Sequence, residues 1–221
     1  QYYMYYLSLI YDMITNNMLL TNDKIIRTSL KKVLDKELEE YRKDGYKAEI
    51  FEELGVQHGA SRIDFAIING VMRGYEIKSD KDTLIRLPYQ VKQFNAVFDK
   101  LILVVGKRHL YKAMHIVPEW WGIIIAKINT DGDVVFQTIR EADYNKQQTK
   151  ISIARLLWRS EALKILEERK KADGIRYKSR ESIYERLVNI SDINTLKEIV
   201  STQLISREDW RSDSQLILND D

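Results

Sequence analysis

The stretch from Arg62 to Lys78, RIDFAIINGVMRGYEIK, constrains this chain more than any other. Two runs rich in β-branched and aromatic residues flank Asn69-Gly70, a dipeptide that readily takes the backbone conformations of a tight hairpin. The stretch therefore predicts two antiparallel strands, the first carrying Asp64 and the second ending in Glu76-Ile77-Lys78. Side chains alternate along a strand, so Glu76 and Lys78 share a face. Whether Asp64 joins them depends on register. A two-residue turn pairs Ile68 with Val71 and Asp64 with Tyr75, which sends Glu76 to the other face. A three-residue loop pairing Ile68 with Met72, or a bulge at Gly74, sets Asp64 beside Glu76 and Arg62 beside Lys78.

Two carboxylates and a lysine on one sheet edge have a specific chemical use. Asp64 and Glu76, with the carbonyl of Ile77, can hold Mg²⁺ or Mn²⁺, and the ion activates water and stabilises a leaving oxygen. Lys78 can orient or deprotonate that water, or neutralise the pentavalent phosphate. The bland alternative is that all three are solvated residues on the outer face of a hairpin.

Around the hairpin, the spacing predicts an α/β layer on a mixed sheet. Asn22 and Asp23 offer N-caps to a helix whose apolar face is Ile26, Leu30, Val33, Leu34, Leu38 and Tyr41, ending near Asp44-Gly45. A strand is expected over 48–54, a helix over 83–98 with Pro88 near its start, and a strand buried on both faces at LILVV, 101–105. A helix through Lys112 and a strand pair around Asp131-Gly132 follow. From Lys150 onward, Ile153, Leu156, Leu157, Leu163 and Leu166 predict one long amphipathic helix, with two shorter helices behind it. The division expected is a helical N-terminal extension at 1–22, an α/β domain at 23–149 and a helical unit at 150–221 packed on it.

The rest of the composition mainly excludes. Lys and Arg total 35 against 33 Asp and Glu, so any phosphate-binding surface has to come from local sorting of charge. There is no cysteine, hence no disulfide framework and no thiol nucleophile, which fits a cytoplasmic setting. The aromatic opening QYYMYYLSLIYDMITNNMLL lacks a positive leader and a cleavage site, and Asp12, Asn16 and Asn17 interrupt it. Neither a signal peptide nor a membrane span is expected. No GxxxxGK, GxGxxG or GxSxG string points to a nucleotide cofactor or an ester hydrolase.

Asp64, eleven intervening residues and Glu76-Ile77-Lys78, with a helix before and a helix after, resemble the PD-(D/E)XK, or restriction-endonuclease-like, nuclease superfamily. The strings GYEIKSDKDTLIRLPYQ, VFDKLILVVGKRHL and VPEWWGI resemble a largely uncharacterised bacterial and phage family within it, over 24–210. Ile63 stands where the motif has proline. The resemblance implies a restriction-endonuclease-like mixed central sheet flanked by helices, with a helical C-terminal extension. It implies a Mg²⁺- or Mn²⁺-dependent deoxyribonuclease, with Asp64 and Glu76 on the metal and Lys78 as catalytic lysine. Glu53, with Glu52 and Glu37 as rivals, maps onto an earlier metal-binding acid, and Gln90 onto a glutamine of the following helix.

DNA is the partner this implies. Eight basic residues against three acids lie between Lys78 and Lys112, and ten against four between Lys150 and Arg180. Arg62, Lys81, Arg86, Lys107, Arg108 and His109 are the expected phosphate contacts. The helical unit would clamp DNA or support a homodimer. The alternative expectation is a catalytically inactive DNA-binding or assembly module retaining the nuclease fold. Asp80 and Asp82 are expected to cap the next helix, the alternative being that they hold the loop after the Glu76–Lys78 strand, and Trp120-Trp121 to pack in the core or at a helix edge rather than stack on bases.

Overall fold

The computed structural model describes residues 19–207, so the helix expected in the N-terminal extension lies almost wholly outside the described residues. Helix α1 (Asp23–Lys43) starts where the Asn22 side chain accepts a hydrogen bond from Ile25 N–H at 3.1 Å. Asp23 in its first turn and Arg42 and Lys43 in its last complement the helix dipole. Ile26, Leu30, Leu34 and Leu38 recur every fourth residue and are buried. At roughly 1.5–3 kcal/mol for each fully buried aliphatic side chain, this stripe is what fixes α1 to the sheet.

Six strands form one mixed sheet in chain order: β1 (Glu49–Val56), β2 (Ser61–Ile68), β3 (Met72–Lys78), β4 (Lys100–Gly106), β5 (Gly122–Ile128) and β6 (Val134–Arg140). The β3–β4 and β4–β5 pairs are parallel and the other three are antiparallel. Helix α2 (Leu87–Asn95) makes the first parallel crossover. A 3-10 turn (Lys107–His109) and α3 (Leu110–Met114) make the second. The α/β class with a mixed central sheet and C-terminal helices is thus the observed one. Helix α2 is shorter than the expected 83–98, because Pro88 lacks the N–H that an earlier start would need and sits in the first turn.

The sheet has two apolar faces. One carries Phe65, Ile67, Tyr75, Ile77, Ile102 and Val104 against Ile26, Leu30 and Leu34 of α1. The other carries Ile63, Ile68, Met72, Leu101, Leu103 and Val105 against α2, α3 and the C-terminal helices. Both faces of β4 are covered, which explains its unbroken apolar run.

The C-terminal part corrects one expectation. The single long helix is two helices, α4 (Lys150–Ala154) and α5 (Arg159–Glu168), followed by α6 (Arg180–Asn189) and α7 (Ile193–Ile205). Trp158 is extended and its N–H donates to Glu161 Oε2 at 2.7 Å, a side-chain cap that restarts the helix without glycine or proline. Ile153, Leu157, Leu166, Leu187, Leu196 and Leu204 belong to the same apolar cluster as the sheet. A polar pin joins the two as well. Buried Asp99 accepts from Met72 N–H at 2.8 Å and from Lys197 Nζ of α7 at 2.5 Å.

Candidate functional site

The hairpin register pairs Ile68 with Met72, Ile67 with Arg73 and Phe65 with Tyr75. Asn69, Gly70 and Val71 therefore form a three-residue loop, and Asp64 comes level with Glu76. Gly70 has φ +88°, the left-handed conformation such a loop requires of one residue. A second irregularity lies across from it. Glu53 has φ 54°, and the β1–β2 pairing steps from Glu52–Phe65 to Leu54–Ile63. Alternation breaks there on both strands, so that Phe51 and Leu54, and likewise Ala66 and Ile63, all reach the same core. The carboxylates of Glu53 and Asp64 sit at this break.

Two linked clusters result. In the first, Glu76 Oε1 accepts from Lys78 Nζ and from Gln90 Nε2 of α2, the latter at 2.6 Å. The Lys78 ammonium also donates to the Ile77 carbonyl at 3.2 Å. The Glu76 and Lys78 side chains are 2% and 8% exposed. In the second, Ile77 N–H donates to Asp64 Oδ2 at 2.6 Å, and Arg27 of α1 grips Asp64 and, at 2.9 Å, Glu53. The structure thus brings together Asp64, Glu76, Lys78, Gln90 and Glu53. Glu52 and Glu37, the rival acids, pair instead with Lys31 and Arg73.

Burial dominates the electrostatics. It pushes the Glu76 carboxyl up to about 8, with Asp64 adding to the shift and Lys78 opposing it. Burial also raises Asp64 and Glu53, against the pull of Arg27 on each. For Arg27 itself, burial disfavours the charge, but Asp64 and Asp23 outweigh it and the pKa is raised. Glu76 Oε2 and Gln90 Oε1 are buried without hydrogen-bond partners. A proton on Glu76 would make its carboxyl a donor, which is what an unpaired amide oxygen needs.

Arg27 escaped the sequence reading. Its signal was a position between core residues Ile26 and Leu30 with Asp23 one turn earlier, a spacing indistinguishable from an ordinary surface pair. Arg27 pairs with Asp64 and Glu53 and Lys78 with Glu76, and no group of three or more acidic or imidazole side chains able to hold an ion forms among the described residues.

The loops after β3 and β4 sort their charges. Asp80 is buried and accepts from Thr21 N–H and Oγ1 and from Arg108 N–H, at 2.9, 2.7 and 2.9 Å. Asp82 accepts from Ser79 N–H and Oγ at 2.7 and 2.6 Å, closing a turn. Neither caps α2, whose N-cap is Arg86 without a side-chain bond; capping is corrected in favour of the alternative, that the two acids hold the loop after β3. Their basic neighbours Lys81, Arg86, Lys92, Arg108 and Lys112 face solvent, with Lys107 partly buried beside them. His109 Nε2 is engaged by the Asp82 carbonyl at 2.8 Å, so its ring serves the loop. Arg62 is exposed at the start of β2. Trp121 is buried, and its Nε1–H donates to Asn95 Oδ1 at 2.8 Å.

Fold and site together define a mixed α/β module whose acids are tied to cations of the same chain. The chain belongs to the family described as Bacteriophage P4 protein cII, which matches residues 21–220. Protein cII of Enterobacteria phage P4 is 28% identical to it over 162 residues, or 72% of this chain. The chain spans 60% of that relative's length. No solved structure matches it.

This membership overturns the expected place in the PD-(D/E)XK superfamily, and with it the expected deoxyribonuclease activity and its metal-dependent hydrolysis. The two acids and the lysine do come together, but Lys78 is paired with Glu76, and Asp64 with Arg27 of α1. Among the described residues no helix is long and apolar enough to cross a membrane.

Proposed function

We propose that the chain is a catalytically inactive DNA-binding module acting in the cytoplasm. In this reading the Asp64–Glu76–Lys78 cluster is a structural knot beneath the binding surface. The observation that carries it is the charge sorting after β3 and β4. Asp80 and Asp99 are buried and Asp82 is turned onto Ser79, while Lys81, Arg86, Lys92, Arg108 and Lys112 project outward. A chain of net charge +2 thereby presents a locally basic face. Such a face holds a phosphate backbone without reading its sequence.

The knot has a mechanical role in this scheme. Ile77 N–H on Asp64 and Gln90 on Glu76 tie the end of β3 to β2 and α2, and Asp80 ties the following loop to Thr21 and Arg108. The basic side chains therefore project from a braced frame. Mg²⁺ or Mn²⁺ enters as a competitor: an ion at the two carboxylates has to displace Arg27 and Lys78, and a thermal-shift titration measures whether it does.

The test is fluorescence anisotropy of the full chain on a labelled duplex across a salt series. Replacing Lys81, Arg86 and Arg108 by alanine is expected to weaken binding and flatten the plot of log affinity against log salt by about 2.7, three phosphate contacts at about 0.9 each. Absence of DNA binding at low salt overturns the proposal.

A further inference from the structure

A second basic surface lies far along the chain, in the α5–α6 connection. Residues 169–180, RKKADGIRYKSR, hold six basic residues and one acid. Arg169, Lys170, Lys171, Arg176, Lys178 and Arg180 are all exposed, and Tyr177 between them is 100% exposed. A lone exposed tyrosine or a charged run is ordinary by itself. The construction around these is what sets the segment apart.

The segment is held in shape. Ala172 and Ile175 are buried at 3% and 7% exposure and anchor it in the main core. Arg159 Nη2 donates to the Arg176 and Lys178 carbonyls at 2.7 and 3.2 Å, bracing the turn that presents Tyr177. Asp173 lies exposed within the loop, and three flanking acids are paired. Glu168 lies 4.0 Å from Lys164, Glu181 pairs with Arg155 and His58, and Glu167 lies 3.3 Å from Arg176.

One backbone detail separates this loop from a merely solvated one. Helix α5 ends in a Schellman motif: Lys171 N–H donates to the Leu166 carbonyl at 2.8 Å and Lys170 N–H to the Glu167 carbonyl at 2.9 Å. That motif places Lys170 at φ 57°, where glycine is the unstrained choice. The chain carries a charged side chain there at a cost of about 1 kcal/mol in conformational energy. The Schellman bonds hold the backbone there, and a charged, exposed side chain at a position that favours glycine points to use of that side chain.

We propose that the 169–180 loop binds single-stranded DNA, its lysines and arginines holding successive phosphates while Tyr177 stacks on an unpaired base. This rests on the DNA-binding reading above and adds a substrate form and a surface to it. Phosphate contacts account for salt-dependent attraction, and a stacking aromatic prefers a strand whose bases are exposed.

The test measures anisotropy of a labelled 20-nucleotide oligothymidylate and of a duplex of equal length with the full chain. Circular dichroism confirms the fold of each variant. Tyr177→Ala is expected to weaken single-strand binding about tenfold, with an unchanged salt slope and no effect on the duplex. Lys171→Ala with Lys178→Ala is expected to lower the single-strand salt slope by about 1.4, two contacts at about 0.7 each. If these variants bind as wild type does while the Lys81, Arg86 and Arg108 variant loses the duplex, the loop assignment falls and the DNA-binding reading stands. If wild type binds neither ligand, both fall.

Discussion

Glu76→Gln gives the sharpest test of a structural rather than chemical role for the central cluster. The substitution keeps the oxygen that accepts from Lys78 and Gln90, at 2.6 Å for the latter. It also replaces the partnerless Oε2 by an amide able to donate to Gln90 Oε1, itself without a partner. The sign of its pH dependence follows from burial, which raises the folded carboxyl to about 8 while the unfolded one keeps its ordinary value of 4.5. Between those values the folded chain binds the extra proton, so wild-type stability declines as pH rises. The slope is at most about 1.4 kcal/mol per pH unit. A glutamine at this position has no such slope, so the variant gains on wild type by up to about 2.8 kcal/mol between about pH 5.5 and 7.5. With a urea dependence of about 2 kcal/mol per molar, that is a midpoint difference growing by about 1.4 M. Urea unfolding of both proteins at half-unit pH steps measures it. A difference that stays flat across the window, or shrinks, refutes the reasoning.

Asp80→Ala strips the acceptor from Thr21 and Arg108 and leaves donors buried, which should cost about 3 kcal/mol in urea unfolding. It should also weaken duplex binding through Arg108. Gly106→Ala places a methyl 2.6 Å from Asp80 N, a backbone atom that cannot step aside, and should lower stability by about 1–3 kcal/mol. Lys170→Gly relieves the left-handed lysine and should raise the thermal midpoint, by about 1 kcal/mol in stability, while weakening oligothymidylate binding. Loss of stability in that variant would show that Lys170 serves the fold.

Much of the fold could be read from local pattern. The fourfold spacing of Ile26, Leu30, Leu34 and Leu38, the Asn69-Gly70 turn and the apolar run of β4 each follow from a rule that works within a few residues. The break between α4 and α5 escaped because Glu161 caps the backbone of Trp158, a contact that leaves no glycine or proline behind. The left-handed Glu53 escaped because nothing in EELG distinguishes it from a regular strand residue. At the site, the positions of Asp64, Glu76 and Lys78 could be read, but not their pairing. Arg27 reaches Asp64 across 37 positions and Gln90 reaches Glu76 across 14, and only the folded chain brings them together. A spacing shared with nucleases therefore suggested the wrong family.

The pin between Asp99 and Lys197 bears on how this chain comes apart. Asp99 is buried where β4 begins, with one oxygen on Met72 of β3 and the other on Lys197 of α7. Peeling α7 away would strand that carboxylate in an apolar setting, a penalty of several kcal/mol for an uncompensated charge. Partial opening at the C-terminus is thus penalised at the centre of the sheet. Amide protons of α7 and of β3 should exchange with solvent at closely similar rates, as members of one cooperative unit. A helix that looks appended behind the sheet is, by this measure, among the last parts able to leave it.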